Sequence, residues 1–147
     1  MPNPVIHFRC PPEKRELIDR YGNDPGEQIL NDIVTLNTLI THYARQMAGR
    51  LTTGEAMLIC DVLNSHWHLP EMSNSPGVDH SVSDGIALDG LDAKWSVDGQ
   101  ALMAKLNAMG AIEQLVLIHL AQVFWMNHDK HEDAREYAKR LFRCEEG

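Results

Sequence analysis

Residues 111–126 read Ala111-Ile112-Glu113-Gln114-Leu115-Val116-Leu117-Ile118-His119-Leu120-Ala121-Gln122-Val123-Phe124-Trp125-Met126, a helix-length segment that is apolar on nearly every side. A surface helix keeps one polar face, whereas a helix without one is normally the buried centre of a helical domain. The segment therefore predicts a mainly α fold, and its neighbours supply the cover. Immediately before it, Asp98 is placed to cap a helix over Ala101–Met109 that Gly110 stops. After it, Asp129-Lys130-His131-Glu132 has capping-box spacing, and Ala134, Tyr137, Ala138, Leu141 and Phe142 make an amphipathic closing helix.

Further upstream, Ile86–Trp95 predicts a short helix interrupted at Gly90. Residues 70–85 are rich in turn formers and short of large apolar groups, which predicts a loop or hinge. Thr52-Thr53-Gly54-Glu55 has the Thr-x-x-Glu spacing of a capping box, opening a helix through Met57, Leu58, Val62 and Leu63 that ends near His66–Leu69. Asp24 before Pro25 predicts the start of a long helix closed by Gly49. Along it Ile29, Ile33, Leu36, Ile40, Tyr43 and Met47 recur at spacings of four and three. That spacing holds them on one stripe, which must pack lengthwise against something. Pro12 suits the first turn of a helix of about three turns, with Leu17, Ile18 and Tyr21 on one side and Gly22-Asn23 at its end.

The N-terminus reads differently. In Val5-Ile6-His7-Phe8-Arg9-Cys10, apolar Ile6, Phe8 and Cys10 alternate with His7 and Arg9 before Pro11-Pro12, which predicts a short strand with one buried face. A lone strand has unpaired backbone groups on both edges, and nothing else in the chain reads as a strand. The simplest partner is the same strand of a second copy. Two copies about a two-fold axis would form an antiparallel ribbon, and each long-helix stripe would pack against the other subunit.

The order strand, helix, helix over roughly residues 4–48, carried by Ile6-His7-Phe8-Arg9-Cys10-Pro11 and the two helices, resembles the ribbon-helix-helix family of DNA-binding proteins. The resemblance implies a ribbon in the major groove with His7 and Arg9 facing DNA. It also implies a homodimer core of Ile6, Phe8, Cys10, Ile33, Leu36 and Ile40. Residues 1–49 then form a dimerisation and DNA-binding module, and residues 50–147 an acidic helical domain with a loop near 70–85.

Charge and composition bound the remaining classes. Hydrophobic residues make up 44% and charged residues 23%, as in globular proteins and unlike disordered ones. Net charge is −8 and is concentrated centrally, because residues 51–100 carry one Lys and eight Asp/Glu. That segment is either solvated surface or a face for a protein partner, and it repels phosphate backbones. The longest apolar run is about four residues, too short for a membrane span. The N-terminus has no basic, apolar leader, so a cytoplasmic location is expected. Cys10, Cys60 and Cys144 lack paired spacing and are expected to be buried reduced thiols.

Candidate chemistry is sparse. His66-Trp67-His68 and His128-Asp129-Lys130-His131-Glu132 are the only clusters with ligand-type residues, and caps or surface groups explain them better than a metal. Asp84, Asp89, Asp92 and Asp98 miss the ligand pattern of a calcium loop. No phosphate loop or nucleophile elbow is present, and no catalytic residue, metal site or cofactor is expected. Two functions follow as expectations. The first is a homodimeric DNA-binding transcriptional regulator with a C-terminal partner- or effector-binding domain. The second is a non-enzymatic helical interaction protein, such as an adaptor, antitoxin or inhibitor, that does not bind DNA.

Overall fold

The computed structural model describes residues 9–22, 25–64 and 77–145 and divides the chain into two compact units, Met1–Leu39 and Ile40–Gly147. The fold is mainly α. Among the described residues there are eight α-helices, two 3-10 turns and no strand.

In the first unit a 3-10 turn, Pro12–Lys14, runs into α1, Arg15–Asp19. The expected three-turn helix is shorter because Glu13, Lys14, Arg15, Glu16, Asp19 and Arg20 leave almost nothing to bury, and a short helix without burial is marginal. Gly22 adopts the left-handed region at φ +77°, a conformation that costs glycine nothing. The long helix α2, Gly26–Gln46, begins in this unit and continues past Leu39. The Tyr21 hydroxyl donates to the Asp32 carboxylate of α2.

The ribbon-helix-helix reading is overturned here. Of the proposed strand, Val5–Phe8 lie outside the described residues, so Ile6, His7 and Phe8 receive no placement. Arg9 and Cys10 are described, and both are exposed and outside any ladder. The Cys10 thiol turns to the neighbouring Pro11 carbonyl rather than into a core. Alternation over a few residues marks a strand only when a second edge satisfies its backbone, and among the described residues, where no strand forms, nothing supplies one.

The second unit is built around two helices, α3 (Thr53–Asn64) and α7 (Ala111–Asn127), packed on one another. The capping box that opens α3 is formed as its spacing predicts. Thr52 N donates to Glu55 Oε1 at 2.8 Å, and Glu55 N donates to Thr52 Oγ1 at 3.1 Å. In α7, Val116, Leu117, Leu120, Ala121 and Phe124 are buried, as expected for a central helix. Ahead of α7, Asp98 caps α6 (Gly99–Asn107), accepting from Gln100 N and Ala101 N.

Two local expectations fail for identifiable reasons. Residues 78–85, expected as loop, belong to α4, Val78–Asp89, whereas 70–76 lie outside the described residues. Val78, Val82 and Gly85 stand on one buried face of α4, which packs on α3, and the amide of Val78 at its start donates to the Gln114 side chain of α7 at 3.2 Å. Gly85 is a contact point rather than a turn: an added Cβ would stand 2.8 Å from Val62 Cγ2 and 2.9 Å from Leu91 Cδ1. Gly90, at φ +63°, separates α4 from α5, Leu91–Lys94.

The second failure is the start of the closing helix. His128–Lys130 form a 3-10 turn, and Asp133 caps α8, Ala134–Leu141, by accepting from Glu136 N. The same Asp-x-x-Glu spacing occurs four residues later than expected, at Asp133 and Glu136. The chain end returns to α3, where Glu145 N donates to the Leu51 carbonyl at 2.8 Å.

Candidate functional site

The chemistry-bearing groups of the second unit are engaged in holding it together. Lys105 of α6 reaches Glu55 Oε1 at 2.6 Å, and Glu55 is almost fully buried. Asp61 of α3 accepts from Lys94 Nζ at 2.7 Å and from Trp95 Nε1 at 2.9 Å, tying α3 to the α5 region. Arg50 pairs with Glu113 at 2.7 Å. Of the acidic residues between 51 and 100, Glu55 is buried in its pair, Asp61 is a partly buried clasp, Asp98 is a cap at the surface, and Asp84, 3.4 Å from His80, is exposed.

The histidines near the end of α7 join an aromatic stack. His131 lies on the Tyr137 ring at 3.8 Å between centroids, Tyr137 and His128 each stack on Phe124, and His128 Nδ1 lies 3.1 Å from the Trp125 carbonyl. Among the described residues no three His, Cys, Asp or Glu side chains converge to hold a metal ion. His66 and His68 lie outside the described residues. The thiols differ in setting. Burial pushes the Cys60 thiol strongly up and the Cys144 thiol up to about 11, which disfavours the nucleophilic thiolate in both. Cys10 is exposed, contrary to the expectation of three buried thiols. No described helix is long and apolar enough to cross a membrane.

A run of exposed apolar side chains lies on α2. The stripe from Ile29 to Met47 is formed, and its last three members lie in the second unit. Ile40 and Tyr43 pack against the core of that unit and Met47 is buried within it. In the N-terminal half Ile29 is half-buried, and Leu30, Ile33, Val34, Leu36 and Leu39 are 59%, 56%, 58%, 56% and 48% exposed. At about 100° per residue these five spread over roughly 220° of the helix circumference. That is wider than an ordinary surface helix leaves apolar.

Of the polar residues interleaved with them, the two threonines bond to their own helix, while Asn31 and Asn37 are exposed. Thr35 and Thr38 donate to the Asn31 and Val34 carbonyls of their own helix at 2.9 Å. From Gln28 to Leu39 the only charged side chain is Asp32, which accepts from Tyr21 and from Gln28 Nε2. That hydrogen bond from Tyr21 to the carboxylate raises the Tyr21 pKa.

Of the residues expected to contact DNA, Arg9 is exposed at the start of the described chain and His7 lies outside the described residues. Of the expected dimer core, Ile33 and Leu36 are on the exposed face, Ile40 is against the core of its own unit, and Cys10 is exposed. Leu30, Val34 and Leu39, which belong to the same face, stand off the stripe and were not singled out from the sequence. Their signal was present: Leu30 and Val34 are an i, i+4 pair beside the stripe. Compared with protein-family models, curated proteins and solved structures, the chain matches none.

Proposed function

We propose that this chain is a non-enzymatic helical interaction protein that works by docking another polypeptide against the first half of α2. The observation carrying this reading is the run of five large apolar side chains, Leu30 to Leu39, each about half exposed or more within ten residues of one helix. Contiguous exposed apolar surface of this kind is costly in water and commonly marks an interaction face. Glu55 and Asp61 of the acidic segment are engaged in contacts within the fold, whereas the apolar side chains of α2 have no such engagement to explain them. DNA binding through His7 and Arg9 was implied by the ribbon resemblance and loses that support.

The test is a photo-reactive amino acid placed at Val34 in living cells, with Glu27 on α2 as the comparison position. Val34 is expected to yield a discrete protein adduct that Ile33→Lys abolishes. Absence of any protein adduct at Val34, or an adduct indifferent to Ile33→Lys, refutes the reading.

A further inference from the structure

We infer that the occupant of the α2 face is a second copy of this chain, so that the protein is a homodimer joined along residues 29–39. This rests on the interaction reading above and names its partner. Three observations favour a second copy over a different protein.

The first is the pattern. Ile29, Ile33 and Leu36 continue, without a break in the four-three spacing, the series Ile40, Tyr43 and Met47 that the chain's own core covers. A four-three series is the spacing at which one helix presents knobs to another helix of the same kind. A two-fold axis sets the same surface against itself, so one patch meets both requirements.

The second is charge. Two copies of a chain with net charge −8 repel each other over most of their surface. The segment from Gln28 to Leu39 adds little to that repulsion, because its single carboxylate, Asp32, is already hydrogen-bonded to Tyr21 and Gln28. It offers no cation to an acidic partner and no cluster of carboxylates to a basic one. Its threonine hydroxyls are bonded within the helix, so covering them strands no donor.

The third is area. Five half-exposed Leu, Ile and Val side chains present roughly 100 Å² each, or about 500 Å² per copy. Because the five spread over roughly 220° of the helix, one seam covers only part of this area, so the patch supplies the apolar centre of an interface whose edges extend beyond it.

Sedimentation equilibrium on the purified full chain at micromolar concentrations tests the inference. The expected result is a species of twice the 16.6 kDa monomer mass. Ile33→Lys and Leu36→Lys should each weaken the dimer by at least about 30-fold, since each sets a charge against its own copy in a dry seam. Lysine is a good helix former, so helicity should be retained. Ile33→Ser, without charge, provides a milder variant and should weaken the dimer in the same direction if a lysine variant loses helix.

A monomeric wild type overturns the inference, and so does a dimer that survives all three substitutions. If the wild type is monomeric while Val34 still forms its adduct with another protein in cells, the homodimer fails and the interaction reading stands. If Val34 yields no adduct of any kind, the interaction reading fails as well.

Discussion

Replacing Lys105 with methionine isolates the most deeply placed ion pair among the described residues. Glu55 is 3% exposed, and its Oε1 accepts from Thr52 N at 2.8 Å and from Lys105 Nζ at 2.6 Å. Methionine keeps the length and apolar character of the lysine stem but removes the ammonium, leaving a buried carboxylate with the capping-box amide as its remaining bond among these two. Breaking a fully buried pair from one side costs about 3 to 5 kcal/mol. The Lys105 side chain is a third exposed, so water can reach the vacated end and the lower part of that range or less applies, about 2 to 3 kcal/mol. For a chain of this size that corresponds to a fall in Tm of roughly 5 to 10 °C.

Glu55→Gln should cost less, about 1 kcal/mol, because the amide oxygen still accepts from Thr52 N and the lysine can turn to solvent. The double variant should be more stable than Lys105→Met alone, since it no longer buries an unpaired charge. Thermal and urea unfolding of the four proteins gives the coupling energy, expected near 2 kcal/mol. Additive single effects, or a Lys105→Met protein melting within about 2 °C of wild type, would refute the reasoning.

Phe124→Ala removes the ring between Tyr137 and His128 from a site that is 1% exposed, and should destabilise by about 3 to 5 kcal/mol in the same urea titration. Gly85→Leu should also destabilise strongly, because even a Cβ meets Val62 at 2.8 Å, and an unchanged melting temperature would show that α4 does not approach α3 this closely. The thiols give a pH dependence. Burial holds the folded pKa values of Cys60 and Cys144 above the ordinary thiol value of about 8.5, so their contribution is complete below it and is lost as pH rises toward the folded values, about 11 for Cys144. Melting temperature should therefore fall between those limits, and Cys144→Ala should flatten part of the decline. In native protein a thiol reagent should label Cys10 rapidly and Cys60 only on unfolding.

Several features were legible without coordinates because their physics is local. The Thr52–Glu55 box, the Asp98 cap and the turn at Gly49, which sits at φ +79°, each involve groups a few residues apart. The spacing of Ile29, Ile33, Leu36, Ile40, Tyr43 and Met47 is equally local, and α2 forms as that spacing predicts. Local rules can also mislead. The alternation around Arg9 and Cys10 satisfied a strand pattern, while the second edge that makes a strand stable is a property of other parts of the structure.

What only the tertiary structure decided is which groups meet across long separations. Turn-forming composition at residues 78–85 was overridden because Val78 and Val82 find a core and Gln114, 36 positions away, satisfies the first amide of α4. Gly85 is a turn signal in isolation and a close helix contact once Val62 and Leu91 lie beside it. The candidate site divides in the same way. Periodicity determines that one side of α2 is apolar, since side-chain direction follows from helix geometry alone. Whether that side is covered depends on what packs against it: Tyr43 and Met47 are covered by the core of their own unit, and Ile33 and Leu36 are exposed.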